Sequence, residues 1–141
     1  MINKSSIFCC CGYVWLCLVM SGCAGFVPFQ PNPPEDEEWS KPGASQLDID
    51  KAMLECGYPT PFGVRDRILD IFPSSNEIAL MDRCMRNSGF SYSDNFNYCK
   101  GKGFRELPAC QPDAIIPRRE LSKRINSQYC KKYTKADACT P

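Results

Sequence analysis

The sequence predicts a mainly α-helical fold: one small disulfide-stapled domain with long loops, following an apolar N-terminal segment and a Pro/acidic stretch. Three observations predict it. Beyond residue 44, apolar residues recur at three- and four-residue steps between capping residues. Six cysteines lie between residues 56 and 139, never closer than nine apart. Between residues 93 and 117, Gly101, Gly103, Pro108 and Pro112 interrupt any period, which predicts one long loop.

The elements follow in chain order. Pro42-Gly43 is a turn, and Ser45 suits a helix N-cap with Asp48 in the first turn. Ile49, Ala52, Met53 and Cys56 then form one helical stripe. Gly57 suits the left-handed position after the helix, and Pro59 blocks continuation. Asp66 to Phe72 reads as a short helix carrying Ile68, Leu69 and Phe72, stopped at Pro73. Ser74 and Glu77 have capping-box spacing. The helix after them places Ile78, Met81 and Met85 on one side, with Leu80 and Cys84 beside them, and Gly89 ends it. Phe90-Ser91-Tyr92 alternates, as a short strand or an extended exit would. A last helix is expected from Arg118 to Tyr133, with Leu121, Ile125 and Tyr129 at four-residue steps and Cys130 beside them. Two helix ends, Cys56-Gly57-Tyr58 and Cys84 through Gly89-Phe90, share the order cysteine, glycine, aromatic. This is either a weak repeat or one C-cap solution used twice.

The N-terminus is an export pattern. Lys4 is the only charged side chain before Glu35, and Ile7 to Met20 is nearly all apolar or cysteine. Pro28, Pro31, Pro33 and Pro34 then precede Glu35-Asp36-Glu37-Glu38. Proline favours extended geometry and like charges stretch a chain, so residues 24–38 read as a semi-rigid, solvated spacer. Fully extended, those 15 residues reach at most ~50 Å.

The apolar run ends in Met20-Ser21-Gly22-Cys23-Ala24, which resembles the lipobox of bacterial lipoproteins. The resemblance covers about 23 residues and departs from the commonest pattern at Met20, where leucine is usual. It implies that the Cys23 thiol receives a diacylglyceryl group, that a dedicated peptidase cuts before Cys23, and that the new amino group is acylated, for example with palmitate. It further implies localisation in the bacterial cell envelope. Ala24, in place of the aspartate that retains such proteins at the inner membrane, points to the outer membrane. Three other readings stay open: cleavage after Ala24 by a general signal peptidase, an uncut anchor over Ile7 to Phe29, and a buried helix. The expected organisation is a signal peptide over 1–22, a lipidated tether over 23–38 and a cysteine-rich helical domain over 39–141. Trp39, Lys41-Pro42-Gly43 and the two cysteine–glycine–aromatic endings also resemble short Gram-negative lipoproteins over residues 39–92. That group brings no activity with it.

An exported chain meets an oxidising compartment, so Cys56, Cys84, Cys99, Cys110, Cys130 and Cys139 are expected as three disulfides. Fifteen connectivities exist for six cysteines. Short loops close most easily, which favours Cys56–Cys84, Cys99–Cys110 and Cys130–Cys139. Zinc and redox sites use closer CxxC pairs, so no metal and no cofactor is expected.

Function is narrowed by exclusion. The chain has no histidine, the commonest general base and zinc ligand. It has no Gly-rich phosphate loop, nucleophile elbow or HExxH motif. Removing 22 residues leaves 119 with balanced charge. That balance hides a division: residues 35–99 carry 12 acidic and 6 basic side chains, residues 100–141 carry 4 and 10. Either the two segments attract each other, or the second offers a basic face to an anionic envelope partner. Export argues against nucleic acid. The expectation is a non-catalytic binding or structural module, membrane-attached through its lipid, with a protein or anionic envelope partner. Lys100, Lys102, Phe104 and Arg105, inside the Cys99–Cys110 loop, form the candidate contact surface. An exclusion lipoprotein of the phage type or a host-enzyme inhibitor is the alternative. An envelope enzyme using Asp66 and Asp70, one helical turn apart, is a further one.

Overall fold

A computed structural model describes residues 33–141. The apolar segment, Cys23 and everything up to Asn32 lie outside the described residues. The body is mainly helical: α1 (Glu35–Glu38), α2 (Gln46–Cys56), α3 (Ser75–Asn87), α4 (Leu121–Asn126) and α5 (Gln128–Lys132), with 3-10 turns between them. Two short strands, β1 (Trp39–Ser40) and β2 (Ser91–Tyr92), pair antiparallel with Trp39 opposite Tyr92.

Helices α2 and α3 are built as their sequences require. Ser45 and Asp48, and Ser74 and Glu77, form complete capping boxes. Both helices close the same way. The N–H of Tyr58 reaches Met53 O at 3.0 Å, and the N–H of Phe90 reaches Met85 O at 3.2 Å. Gly57 (φ 97°) and Gly89 (φ 86°) take the left-handed positions these closures need. Each closure drops an aromatic ring, Tyr58 or Phe90, into the core. The stripe Ile49, Ala52, Met53, Cys56 is buried as its spacing predicts, and it faces Met81, Cys84 and Met85. Trp39 seals this core edge-to-face against Tyr92, with the Arg86 guanidinium 5.5 Å from the indole. A second, smaller core gathers Leu54, Tyr129, Cys130, Ala138 and Cys139 on the opposite side of α2.

The three cysteine pairs are Cys56–Cys84, Cys99–Cys110 and Cys130–Cys139, the pairing that locality favours. The first staples α2 to α3 inside the main core, the second closes the Gly-rich loop, and the third ties the C-terminal turn to α5.

Three expectations are corrected. Asp66 to Phe72 is not a helix. The Asp66 carboxylate accepts the N–H of Leu69 at 2.7 Å, and Asp66 and Ile71 exchange backbone hydrogen bonds across a tight turn. A short acidic side chain that captures a nearby N–H competes with the helical ladder. Only Leu69 joins a core, while Ile68 and Phe72 are exposed. The helix expected from Arg118 to Tyr133 starts at Leu121 and breaks at Ser127. There the backbone is extended and the hydroxyl caps α5 by accepting the Cys130 N–H. The break turns Leu121 and Ile125 outward and buries Arg124 instead. Finally, Glu35–Glu38 is not a solvated spacer. Asp36 is buried and accepts from Gln46 at 3.0 Å, Glu35 accepts the Val64 N–H at 3.0 Å, and Glu38 accepts from the Ser93 hydroxyl.

Candidate functional site

The described residues form an open cleft of about 620 Å³ between the C-terminal end of α2, the 66–73 turn, the start of α3 and the α4–α5 break. Its apolar surfaces come from Leu54, Tyr58, Met81 and Phe72, and its rim carries Lys123 and Gln128. Each is positioned by a local device already described. The Gly57 closure sets Tyr58 into the floor. The Asp66–Ile71 turn holds Phe72 out as one wall, 59% exposed. The kink at Ser127 opens the gap from which Gln128 and Lys123 face the space.

The electrostatics of the cleft suit recognition. Burial pushes the Tyr58 hydroxyl well above the ordinary phenol range, with Glu35 and Asp82 adding to the shift, so it stays protonated at all physiological pH. Glu77, at the rim, is held below the usual carboxylate range by the Ser74 backbone N–H and hydroxyl, so its negative charge serves the helix cap. Lys123 makes only an exposed 3.6 Å contact with Glu120 and can turn to a ligand. An apolar floor with a few donors at the rim is the common chemistry of a small-ligand or peptide-side-chain site.

The sequence does not point to this cleft, because periodicity makes its wall a helix and runs one continuous helix through the break that forms its rim. Ile68 and Phe72 beside Pro73 were the available signal: two large apolar residues in a segment too short to bury both.

The expected contact loop takes a different form. Phe104 is half-buried and stacks on Tyr98 at 4.5 Å, over Gly101, whose Cα leaves no room for a side chain beneath the ring. Lys100, Lys102 and Arg105 are exposed around a shallow cavity of about 520 Å³ with Glu106. The three cations are therefore together, while the aromatic ring belongs to the loop's own packing. The loop is fixed to α3 because Asn76 accepts the Ala109 N–H at 2.8 Å and Arg83 donates to Ala109 O at 2.6 Å. Asp66 and Asp70 do not share a helical face, since the segment between them is a turn with Asp70 at φ 53°.

The acidic and basic halves do meet. Glu55 lies 2.8 Å from Arg119 Nε and 3.0 Å from Arg124 Nε. Arg124 is 4% exposed and also donates to Ala138 O and Thr140 O. Among the described residues no three Cys, Asp or Glu side chains gather as a metal-ligating group, and no helix is long and apolar enough to cross a membrane. No protein-family model, curated protein or solved structure matches the chain.

Proposed function

We propose that the chain is a lipid-anchored, non-catalytic binding module of the bacterial cell envelope, attached through Cys23 and acylated there, with the outer membrane as its site. One observation carries this. The six cysteines of the body are consumed by three mutual disulfides, so Cys23, directly after the apolar segment, has no partner among them. Disulfides of this density belong to an oxidising compartment, and a cysteine in a lipobox sequence is the natural attachment point there. Two or three acyl chains give lasting anchorage, because each buried methylene contributes about 0.8 kcal/mol and a single chain is marginal.

Mass spectrometry of the mature N-terminus, with and without the lipoprotein peptidase inhibitor globomycin, tests the anchor. The expected species begins at diacylglyceryl-Cys23, and the inhibitor leaves the uncut chain. An unmodified Cys23, or a start at Gly25, sinks the reading. The binding role rests on the cleft bounded by Phe72, Lys123 and Gln128. A partner retained by the non-reduced protein is expected to be lost with Phe72→Ala or Lys123→Glu at unchanged melting temperature. Retention by both variants would place the binding surface elsewhere.

A further inference from the structure

Phe62, Tyr129 and Tyr133 form a continuous aromatic strip on the side of the body where the described chain begins. Phe62 meets Tyr129 edge-to-face at 6.1 Å, and Tyr129 meets Tyr133 at 4.9 Å. Tyr129 is buried, but Phe62 is 54% exposed and Tyr133 39%. Phe62 is not a loose loop tip. Its N–H donates to the Thr60 hydroxyl at 3.2 Å, and its carbonyl accepts the Glu35 N–H at 3.1 Å. The fold thus holds a large apolar ring against solvent, a costly arrangement for a surface that only ever meets water.

Three lysines lie close to Tyr133 in the chain. Lys131, Lys132 and Lys135 are all exposed, and Lys132 Nζ lies 5.6 Å from the Tyr133 ring. Among the described residues none of the three joins an ion pair, whereas Arg86, Arg119, Lys123 and Arg124 all do. The exposed carboxylates nearest in the chain are Asp70 for Phe62 and Glu120 and Asp137 for the lysines, Glu37 is exposed as well, and the half-buried Asp50 lies close enough for its charge to act on Tyr129. The other three acids of the Glu35–Glu38 run are taken up inside the body. Aromatic rings with an apolar body and a polar edge, with Lys132 against one of them and further exposed lysines in the same segment, match the chemistry of a headgroup layer.

The position of the strip decides what covers it. The Glu35 N–H is bonded to the Phe62 carbonyl, so Pro33 and Pro34 leave the body beside the Phe62 ring. Ten peptide steps separate Pro33 from Cys23, which at full extension reach at most ~36 Å. A chain anchored at Cys23 keeps this face near the bilayer at high effective concentration, where even a weak surface engages.

We propose that the Phe62–Tyr133 strip with Lys131, Lys132 and Lys135 is a membrane-docking face that seats on an anionic phospholipid bilayer beside the chain's own lipid. The inference rests on the Cys23 anchor, and its test separates the two. Mature protein beginning at lipidated Cys23, and so without Trp15, carrying Phe62→Trp, Tyr133→Trp or the control Ile115→Trp is reconstituted into vesicles containing brominated phosphatidylglycerol. Trp39, 2% exposed, provides a protected background. Ile115, 93% exposed on the distant loop, reports collisions unrelated to docking. Tryptophan at 62 and 133 is expected to be quenched several-fold more than at 115. The difference is expected to vanish in phosphatidylcholine or when all three lysines are changed to glutamate. Protein that floats with the vesicles but is quenched no more at 62 and 133 than at 115 overturns the docking face and leaves the anchor intact. Protein that does not float overturns the anchor and the docking face with it. A concentration-dependent dimer that shields position 62 without lipid assigns the strip to a second copy and also overturns the proposal.

Discussion

Removing the Cys56–Cys84 bridge by a double alanine substitution should destabilise the protein more than removing either other bridge. In the chain-entropy account, a cross-link removes about 2.1 + 1.5R ln n cal/mol/K from the unfolded ensemble. The sequence separations are 28, 11 and 9 for Cys56–Cys84, Cys99–Cys110 and Cys130–Cys139. They correspond to about 3.6, 2.8 and 2.6 kcal/mol at 25 °C. Together that is about 9 kcal/mol, comparable to the whole stability of a domain this size, ~5–15 kcal/mol. Full reduction is therefore expected to unfold the body.

Burial sharpens the ranking. Cys56 and Cys84 are 3% and 1% exposed within the larger core, so truncation there also leaves a void. For the 109 residues from 33 to 141, the unfolding entropy is about 0.23 kcal/mol/K, so each kcal/mol moves Tm by about 4 °C. Cys56→Ala/Cys84→Ala should lower Tm by about 16 °C and Cys130→Ala/Cys139→Ala by about 11 °C, before any void is counted. Circular dichroism melts of the oxidised proteins read both values. Equal losses, or a larger one for the Cys130–Cys139 pair, would refute the loop-length reasoning and place the stabilisation in local packing.

Four further outcomes are expected. Glu55→Gln leaves Arg124 charged, 4% exposed and without its carboxylate, and should cost about 3 kcal/mol in urea denaturation. Arg119→Gln, on the more exposed partner of the same glutamate, should cost at most about 1 kcal/mol. Gly57→Ala meets no atom within 4 Å but must hold φ 97°, so it should cost about 1–2 kcal/mol with no change in the folded spectrum. Burial raises the Glu35 carboxyl above its ordinary 4.5, so the native state holds its proton more tightly than the unfolded one. Stability from this group is full below pH 4.5 and declines as pH rises through the folded value. Glu35→Gln, which keeps an acceptor for Val64, should flatten that decline in urea midpoints as pH rises above 4.5. An unchanged slope would show that Glu35 titrates as in water.

Local chemistry was readable where a residue's own backbone decides the outcome. Ser45, Ser74, Gly57 and Gly89 cap or close helices whatever surrounds them, and the Ile49–Cys56 stripe carries its period within one element. The disulfides followed because loop-closure entropy favours neighbours along the chain. Readability failed where a contact distant in sequence competes with periodicity. Leu121, Ile125 and Tyr129 have helical spacing, yet the third bridge requires Cys130 to meet Cys139, and the kink at Ser127 that accompanies it turns two of the three outward. Arg124 is buried because Glu55 and two terminal carbonyls receive it, and no local pattern in residues 118–133 announces partners elsewhere in the chain. The cleft depends on both misread segments, so it was invisible for the same reason.

The acidic run is the case in which such competition bears on function. Four adjacent carboxylates repel one another and favour an extended chain. Here they are separated by giving three of them different partners: Val64 N–H for Glu35, Gln46 for Asp36 and Ser93 for Glu38. Folding the run into the body has two consequences. It takes Glu35–Glu38 out of the expected spacer and gives three of its four carboxylates partners within the body. It also withdraws negative charge from the surface where the described chain begins. A run that on its own terms reads as a solvated spacer is instead folded in, while Phe62 and the α5 lysines stay exposed on the body.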